Sequence, residues 1–141
     1  MKAYIKQIKG LALAAKADSE HWITMDGPYD LNGQNAGPRP MEVFLMSLGA
    51  CTAMDVLSIL KKMRQPVEDF EMEMEADRAP EHPKVFTKVN MKYIIYGRGI
   101  KPEMVERAIE LSQVRYCSAS EMVRKTAEIT TSYEIREPVP D

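Results

Sequence analysis

"PMEVFLMSLGACTAMDVLSIL", residues 40–60, is the stretch that decides the fold of this chain. Pro40 suits the first position of a helix, where its missing N–H group needs no partner, and the next proline is Pro66. The sequence therefore predicts a helix from Pro40 to about Met63, roughly six turns and about 35 Å long.

The first half of this helix is apolar on nearly every side, so it has to be covered on every side. A chain of 141 residues has too little material to cover it alone, which predicts a two-fold homodimer built around this helix. Gly49 costs about 1 kcal/mol inside a helix, a cost that is tolerable if its bare backbone admits a close neighbour. The nearly uncharged run Val43 to Met54 is shorter than the roughly 20 residues that span a bilayer, which predicts a core helix and no membrane partner.

Composition predicts one soluble globular domain over residues 1–141. The apolar fraction is 45%, the charged fraction is 28% and the formal net charge is −2, which argues against nucleic acid and anionic membranes as partners. The N-terminal sequence MKAYIKQIKG lacks the pattern of a signal peptide, so we expect a cytoplasmic location. In that reducing compartment the two cysteines are expected to be free thiols or a transient redox pair.

The remaining pattern indicates an α+β fold in which the strands are grouped. Three short apolar runs at the N-terminus predict a three-stranded meander, followed by a long loop from Asp26 to Arg39. Residues 68–76 alternate strictly from Asp69 onward, and residues 84–97 form a second alternating run with Lys88 and Lys92 on one face. Together they predict an antiparallel pair with carboxylates opposite lysines. Helices are expected from Pro102 to about Val114 and after Cys117, and a final strand over residues 128–135.

Cys117 comes directly before a predicted helix start. The pattern Ser118-Ala-Ser-Glu121 has the form of a capping box, in which two side chains satisfy free amides at the helix start. A thiolate is favoured at such a position, although the charge of Glu121 opposes it. Spacing alone leaves Cys117 open as either a structural or a reactive thiol.

Cys51 lies inside the long helix, without help from a helix end. Asp55 follows one turn later, on the same face, where its expected role is that of a buried or rim hydrogen-bonding group. Glu42 precedes Cys51 by nine residues and points roughly to the opposite side of an ideal helix.

Other kinds of site find little support. Two Cys and two His are present, but His21 and His82 lack paired ligand spacing, so we expect no metal site. Phosphate-binding loops, GxSxG elbows and HExxH motifs do not occur in the sequence.

Two motifs together identify a resemblance that covers essentially the whole chain. Residues 37–60 combine a proline, an acidic residue, an apolar helix and the first cysteine, and YCSASEMVRK, residues 116–125, carries the second. This pattern resembles the OsmC/Ohr family, the osmotically inducible and organic hydroperoxide resistance proteins. DVLSILKK and GRGIKPEMVERAIELS are similar to an OsmC-like subgroup within that family.

The resemblance implies a fold, a partner and a chemistry. The fold is an intertwined homodimer with a long central helix wrapped by antiparallel sheets. Cys51 and Cys117 would meet near the dimer interface, where Cys51 attacks an organic hydroperoxide and Cys117 closes a disulfide with the resulting sulfenic acid. An external dithiol, a lipoyl group in well-studied branches, would restore both thiols, and no metal or other cofactor is needed.

This sequence also departs from the organic-hydroperoxide branch at two places. Met41 follows the proline directly and Glu42 comes one residue later, closer to the osmotically inducible pattern. The first arginine in the chain is Arg39, so Arg39, Lys16 or a residue of the partner subunit would have to replace the arginine that the branch supplies from its N-terminal strands. The expected site is therefore Cys51 and Cys117 with Glu42 and Arg39 assisting.

Two alternatives remain open at the level of sequence. A non-catalytic module of the same fold could bind an apolar small molecule or a protein partner, with both thiols incidental. A hot-dog-type thioesterase could use Asp55 or Glu42 as its base, although the two cysteines in their motifs argue against that reading.

Overall fold

The computed structural model describes residues 1–138 and has an α+β fold with a long helix, as predicted. The predicted antiparallel pairing holds throughout the first sheet and for one of the two strand pairs of the second. The chain divides into two compact units, one from Met1 to Met46 and one that begins at Ser47. The expectation of a single domain over residues 1–141 stays a prediction.

The first unit contains the predicted three-stranded meander. Its strands are β1 (Ala3–Lys9), β2 (Ala12–Ala17) and β3 (Ile23–Met25), paired antiparallel in the order β1-β2-β3. The long loop follows, interrupted by one 3-10 turn at Tyr29–Leu31.

Asp26 organises this loop from its start. The side chain is buried, and its carboxylate accepts backbone N–H groups from Gly27 at 2.7 Å, Gln34 at 3.0 Å and Ala36 at 3.1 Å. The bond from Ala36, helped by the other two, lowers the pKa of Asp26 below its ordinary value despite the burial. The loop is thus an ordered connection into the long helix.

The long helix, α1 (Pro40–Lys62), has 23 residues and confirms the predicted bounds. By length and composition it could cross a membrane, a criterion that the core helices of soluble proteins also meet. Its buried positions recur at helical spacing on one side: Leu48, Gly49, Thr52, Val56, Ile59 and Leu60.

Gly49 lets a strand of the second unit approach α1 closely. A Cβ atom at this position would overlap the Sδ atom of Met74 on β4 (Asp69–Arg78). The condition under which Gly49 is tolerable in the helix is therefore met, and the glycine gives room for tight packing between helix and strand.

The second sheet has the order β4 (Asp69–Arg78), β5 (Phe86–Tyr96), β6 (Glu128–Arg136). Strands β4 and β5 pair antiparallel, with Glu73 opposite Lys92, and the ammonium of Lys92 lies 3.7 Å from the carboxylate of Glu73. The predicted pairing of carboxylates with lysines is confirmed.

Strand β6 joins this sheet parallel to β5, so the second sheet is mixed. Parallel neighbours need a long crossover connection. Residues 97–127 provide it, and they carry both remaining α-helices, α2 (Pro102–Leu111) and α3 (Ser118–Val123).

Between these helices the chain forms a π-helical segment, Ser112–Tyr116. The sequence predicts a regular helix to about Val114, but the α-helical hydrogen bonds end at Leu111 and the wider turn takes over. Single π-helical turns are rare in proteins, and those that occur are often located at functional sites.

Candidate active site

The second unit brings the two cysteines together, although they are 117 − 51 = 66 positions apart in the sequence. Cys51 lies on α1 and is partly exposed, whereas Cys117 is buried at the start of α3, and both are free thiols. Burial is the largest cause that raises the pKa of Cys117, and a side-chain hydrogen bond with Cys51 and the charge of Cys51 raise it further. The thiols are close enough to interact directly.

Burial is the largest influence on the Cys117 thiol. It raises the pKa of Cys117 above its ordinary value, because a buried site disfavours the anion. Ser120 opposes this in part: its backbone N–H and its hydroxyl donate to the Cys117 sulfur at 3.4 Å and 3.2 Å. Because the pKa rises on balance, the buried site favours the protonated thiol at Cys117.

The predicted capping box at this helix start is wrong. Ser118 is already the first helical residue of α3, and the N-cap is Cys117, whose sulfur accepts the N–H of Ser120. The carboxylate of Glu121 instead forms ion pairs with Lys125 at 3.1 Å and Arg124 at 3.2 Å. The helix begins one residue earlier than the capping-box pattern predicts, because the sulfur of Cys117, and not the hydroxyl of Ser118, fills the capping position.

A buried hydrogen-bond network lies next to the cysteines. At its centre is the hydroxyl of Thr52, the residue after Cys51. This hydroxyl lies 2.7 Å from the phenol oxygen of Tyr93 and 2.8 Å from the hydroxyl of Ser112, and it accepts the side-chain amide of Gln113 at 3.0 Å. Thr52, Tyr93 and Ser112 are completely shielded from solvent.

The network extends to a charged group at each end. At one end, Ser112 donates its hydroxyl to the carboxylate of Asp55 at 3.1 Å. At the other, the guanidinium of Arg124 donates to the side-chain carbonyl of Gln113 at 3.2 Å and to its backbone carbonyl at 3.0 Å. Asp55 is thus a rim hydrogen-bonding group, as expected, and its partner is a hydroxyl.

Tyr93 links this network to the cysteines electrostatically. Burial is the main cause that raises the pKa of its phenol, the hydrogen bonds that it forms with Thr52 and Gln113 act in the opposite direction, and the charges of Cys117 and Asp55 raise it further. The phenol therefore stays neutral and remains a hydrogen-bond donor.

Sequence reasoning missed the residues of this network. Thr52 had no periodic signal of its own, and Ser112 and Gln113 fell in a segment expected to be ordinary helix. One usable signal existed: Tyr93 stands at a core position of β5 among aliphatic residues and methionine, and a buried phenol needs a hydrogen-bond partner.

Glu42 and Arg39, the two expected assisting residues, lie in the first unit and contact each other. The carboxylate of Glu42 accepts the backbone N–H of Arg39 at 2.8 Å, an arrangement that caps the start of α1. The guanidinium of Arg39 donates to the side chain of Asn35 at 2.7 Å and to the carbonyl of Gly37 at 3.0 Å. Their assistance to the cysteines stays a prediction.

Lys16, the other expected source of positive charge, has partners within the first unit. It forms an ion pair with Glu20, and its ammonium lies 5.3 Å from the ring centre of Trp22. Within residues 1–138, no group of three or more His, Cys, Asp or Glu side chains is placed to hold a metal ion. The expectation that the chemistry needs no metal or other cofactor stays a prediction.

The fold and the paired cysteines define a class: α+β proteins in which a cysteine on a long helix meets a second cysteine at the start of a short one. A family model described as OsmC-like protein matches residues 33–132, and the chain belongs to this family. Protein YhfA of Escherichia coli K12 is 42% identical to it over 135 residues, which is 96% of this chain and 98% of that protein.

Solved structures show the same fold. A hypothetical protein from Aquifex aeolicus VF5 matches with a TM-score of 0.85 and 29% identity, covering 98% of this chain and 97% of that one. An organic hydroperoxide resistance protein OsmC from Legionella pneumophila matches with a TM-score of 0.68 and 17% identity, covering 94% of each chain. At that low identity the Legionella protein is similar in fold alone.

Proposed function

We propose that this protein is a thiol-dependent peroxidase that reduces organic hydroperoxides. Membership of the OsmC family supports a redox function related to peroxides. The observation that carries the proposal is the interaction of two free thiols from distant parts of the chain, one partly exposed and one buried.

The reaction has two steps. In the first, the Cys51 thiolate attacks the terminal oxygen of ROOH; the O–O bond breaks, the alcohol ROH leaves with a proton from solvent, and Cys51 becomes a sulfenic acid. In the second, the sulfur of Cys117 attacks that of Cys51, the S–O bond breaks, and water leaves with the Cys117 proton. An external dithiol then reduces the Cys51–Cys117 disulfide by thiol–disulfide exchange and is itself oxidised to a disulfide.

Burial supports this division of roles. The attacking sulfur has to meet a substrate that comes from solvent, and Cys51 is the more exposed of the two thiols. The resolving thiol has to stay unreactive toward peroxide until its partner is oxidised, and a raised pKa keeps Cys117 protonated. The pair is therefore suited to sequential oxidation.

The proposal extends to Arg39, Glu42 and the quaternary structure. Arg39 is the candidate cation for the Cys51 thiolate, and Glu42 is the candidate group that orients it. A homodimer would cover apolar side chains that a single chain leaves exposed on α1, such as Phe44, Met46 and Met54, and its methionines would receive the apolar tail of the peroxide. A cytoplasmic location would provide the reducing conditions that keep both thiols free.

Stopped-flow oxidation with cumene hydroperoxide tests the proposal. The wild-type protein is expected to lose two thiols per chain, and Cys51→Ser is expected to abolish this loss because the buried Cys117 cannot replace it. Cys117→Ser is the matched variant: it should lose one thiol and accumulate a sulfenic acid that dimedone captures. A wild-type rate no faster than that of free cysteine would refute the peroxidase. Unreactive thiols together with an apolar ligand retained in native mass spectrometry would support a binding module instead.

A further inference from the structure

In the hydrogen-bond network beside the cysteines, the donor and the acceptor of each hydroxyl bond are fixed. The carboxylate of Asp55 only accepts when ionised, so Ser112 must donate to it, and Ser112 must then accept from Thr52. With its own proton given to Ser112, the Thr52 oxygen can only accept, and it receives the phenol proton of Tyr93 and one amide proton of Gln113.

Every group at the centre of this network is satisfied. Thr52 makes one bond as donor and two as acceptor, which is the full capacity of a hydroxyl. The same side-chain amide nitrogen of Gln113 also lies within hydrogen-bond distance of the phenol oxygen of Tyr93, at 3.3 Å. A fully connected buried network of this kind holds its members in one arrangement, because any shift leaves a buried polar group without a partner.

The Thr52–Ser112 bond is also a short link between the two thiols. Thr52 follows Cys51 directly on α1. The carbonyl of Ser112 accepts the backbone N–H of Cys117 at 2.8 Å, at the end of the π-helical segment. The 2.8 Å hydrogen bond between the hydroxyls of Thr52 and Ser112 therefore connects the residue next to Cys51 with the residue whose carbonyl binds the backbone N–H of Cys117.

The Thr52–Ser112 bond is relevant to disulfide formation, because a disulfide requires a specific geometry. The Cα atoms of a disulfide lie about 4.4–6.8 Å apart, and the torsion angle about the S–S bond is narrowly restricted. A small displacement of α1 against the π-helical segment would change how readily the two sulfurs join.

We infer that Thr52 and Ser112 are positioning residues for the closure of the Cys51–Cys117 disulfide. This inference rests on the proposed function for the biological use of that disulfide, but the spacing itself can be measured without peroxide. In glutathione buffers the two protein thiols reduce oxidised glutathione to two molecules of GSH and become a disulfide, and the equilibrium constant is the effective concentration of the thiol pair.

The test compares Thr52→Val, which keeps the shape and removes the hydroxyl, with Thr52→Ser, which keeps the hydroxyl. The effective concentration is expected to fall by at least about tenfold in Thr52→Val, equivalent to about 30 mV in a two-electron couple. It should stay within about threefold of wild type in Thr52→Ser. Ser112→Ala removes the same bond from the other side and should repeat the loss, which keeps the test valid if Thr52→Val folds poorly.

Two control variants separate positioning from general loss of stability. Tyr133→Phe removes a hydroxyl that donates to Glu106 at 2.7 Å, outside the network, and Val105→Ala destabilises the core from α2. Both should leave the glutathione equilibrium within about threefold of wild type. Positioning is overturned if Thr52→Val does the same, or if Thr52→Ser loses as much as Thr52→Val.

The two proposals can fail separately. Thiols that react rapidly with peroxide but form their disulfide equally well in Thr52→Val would remove the positioning role and leave the peroxidase. If the thiols do not react with peroxide but their effective concentration in glutathione buffer falls in Thr52→Val, the peroxidase proposal fails and the positioning role remains.

Discussion

At the scale of single residues, the difference between the two cysteines is one of solvation. Cys117 keeps only 3% of its surface exposed, and its sulfur takes the place of the oxygen that usually caps a helix. The capping pattern predicted a helix start here, and one exists. The identity of the cap was not predictable, because a sulfur acceptor leaves no mark in the usual Ser/Thr pattern.

The raised pKa of Cys117 predicts a loss of stability in alkaline solution. A thiol whose pKa is higher in the folded state adds stability that is fully present below its unfolded value, about 8.5, and that disappears as the pH rises through the folded value. The unfolding free energy of the reduced protein should therefore fall from about pH 8.5 upward.

Urea unfolding between pH 7 and pH 10 measures this effect. Cys117→Ala should show a shallower alkaline decline than wild type, because the titrating group is gone. Cys51→Ala should keep most of the decline, because burial is the main cause of the shift at Cys117. Equal slopes in wild type and Cys117→Ala would contradict the assignment.

At the scale of elements, local sequence periodicity predicted the features that depend on neighbouring residues in the sequence. The strict alternation of acidic and apolar residues along most of β4, and the placement of Lys88 and Lys92 on one face of β5, were enough to predict the pairing of these strands and its charged face. The network joins Thr52 to Tyr93, which is 41 positions away in the sequence, and to Ser112, which is 60 positions away. It also depends on a change from α- to π-helical turns. Neither the distant contacts nor that change has a signature in local periodicity.

The parallel pairing of β5 and β6 is supported by a charged group of three side chains, Lys92, Glu134 and Arg136, which sequence alternation alone did not indicate. Glu134 on β6 accepts from Arg136 at 2.8 Å and pairs with Lys92 on β5 at 3.1 Å. The hydrogen bonds from Arg136 and Lys92 lower the pKa of Glu134 to about 2.

This shift predicts a specific sensitivity to acid. A lowered folded pKa adds stability that is present above the unfolded value of about 4.3 and is lost as the pH falls through about 2. Wild type should lose stability over that range, and Glu134→Gln should lose less because it carries no titrating carboxylate there. Glu75→Gln, on β4 and outside this charged group, is the control and should follow wild type in acid titrations monitored by circular dichroism. If Glu134→Gln follows wild type as well, the charged group does not stabilise the sheet.

At the scale of the whole molecule, the first unit presents an apolar face that its own strands do not cover. Ile5 and Ile23 flank Ala15 in one row across the sheet, and they are 60% and 49% exposed. Soluble proteins seldom leave such rows open to water, and a second copy of the chain is the covering that the sequence predicts.

The dimer is expected to depend on this row. Sedimentation equilibrium should give about twice the chain mass of 16.0 kDa for wild type. Ile5→Lys should shift the protein toward monomer at micromolar concentration, because a lysine in the row would have to be buried without a partner. Lys6→Glu, one position along β1 and therefore on the opposite face, also changes the charge but should leave the dimer intact. A wild-type monomer would mean that α1 and the first sheet are covered in another way. It would remove the methionines of the dimer interface from the proposed substrate site, but it would leave the interaction of Cys51 with Cys117, which lies within one chain.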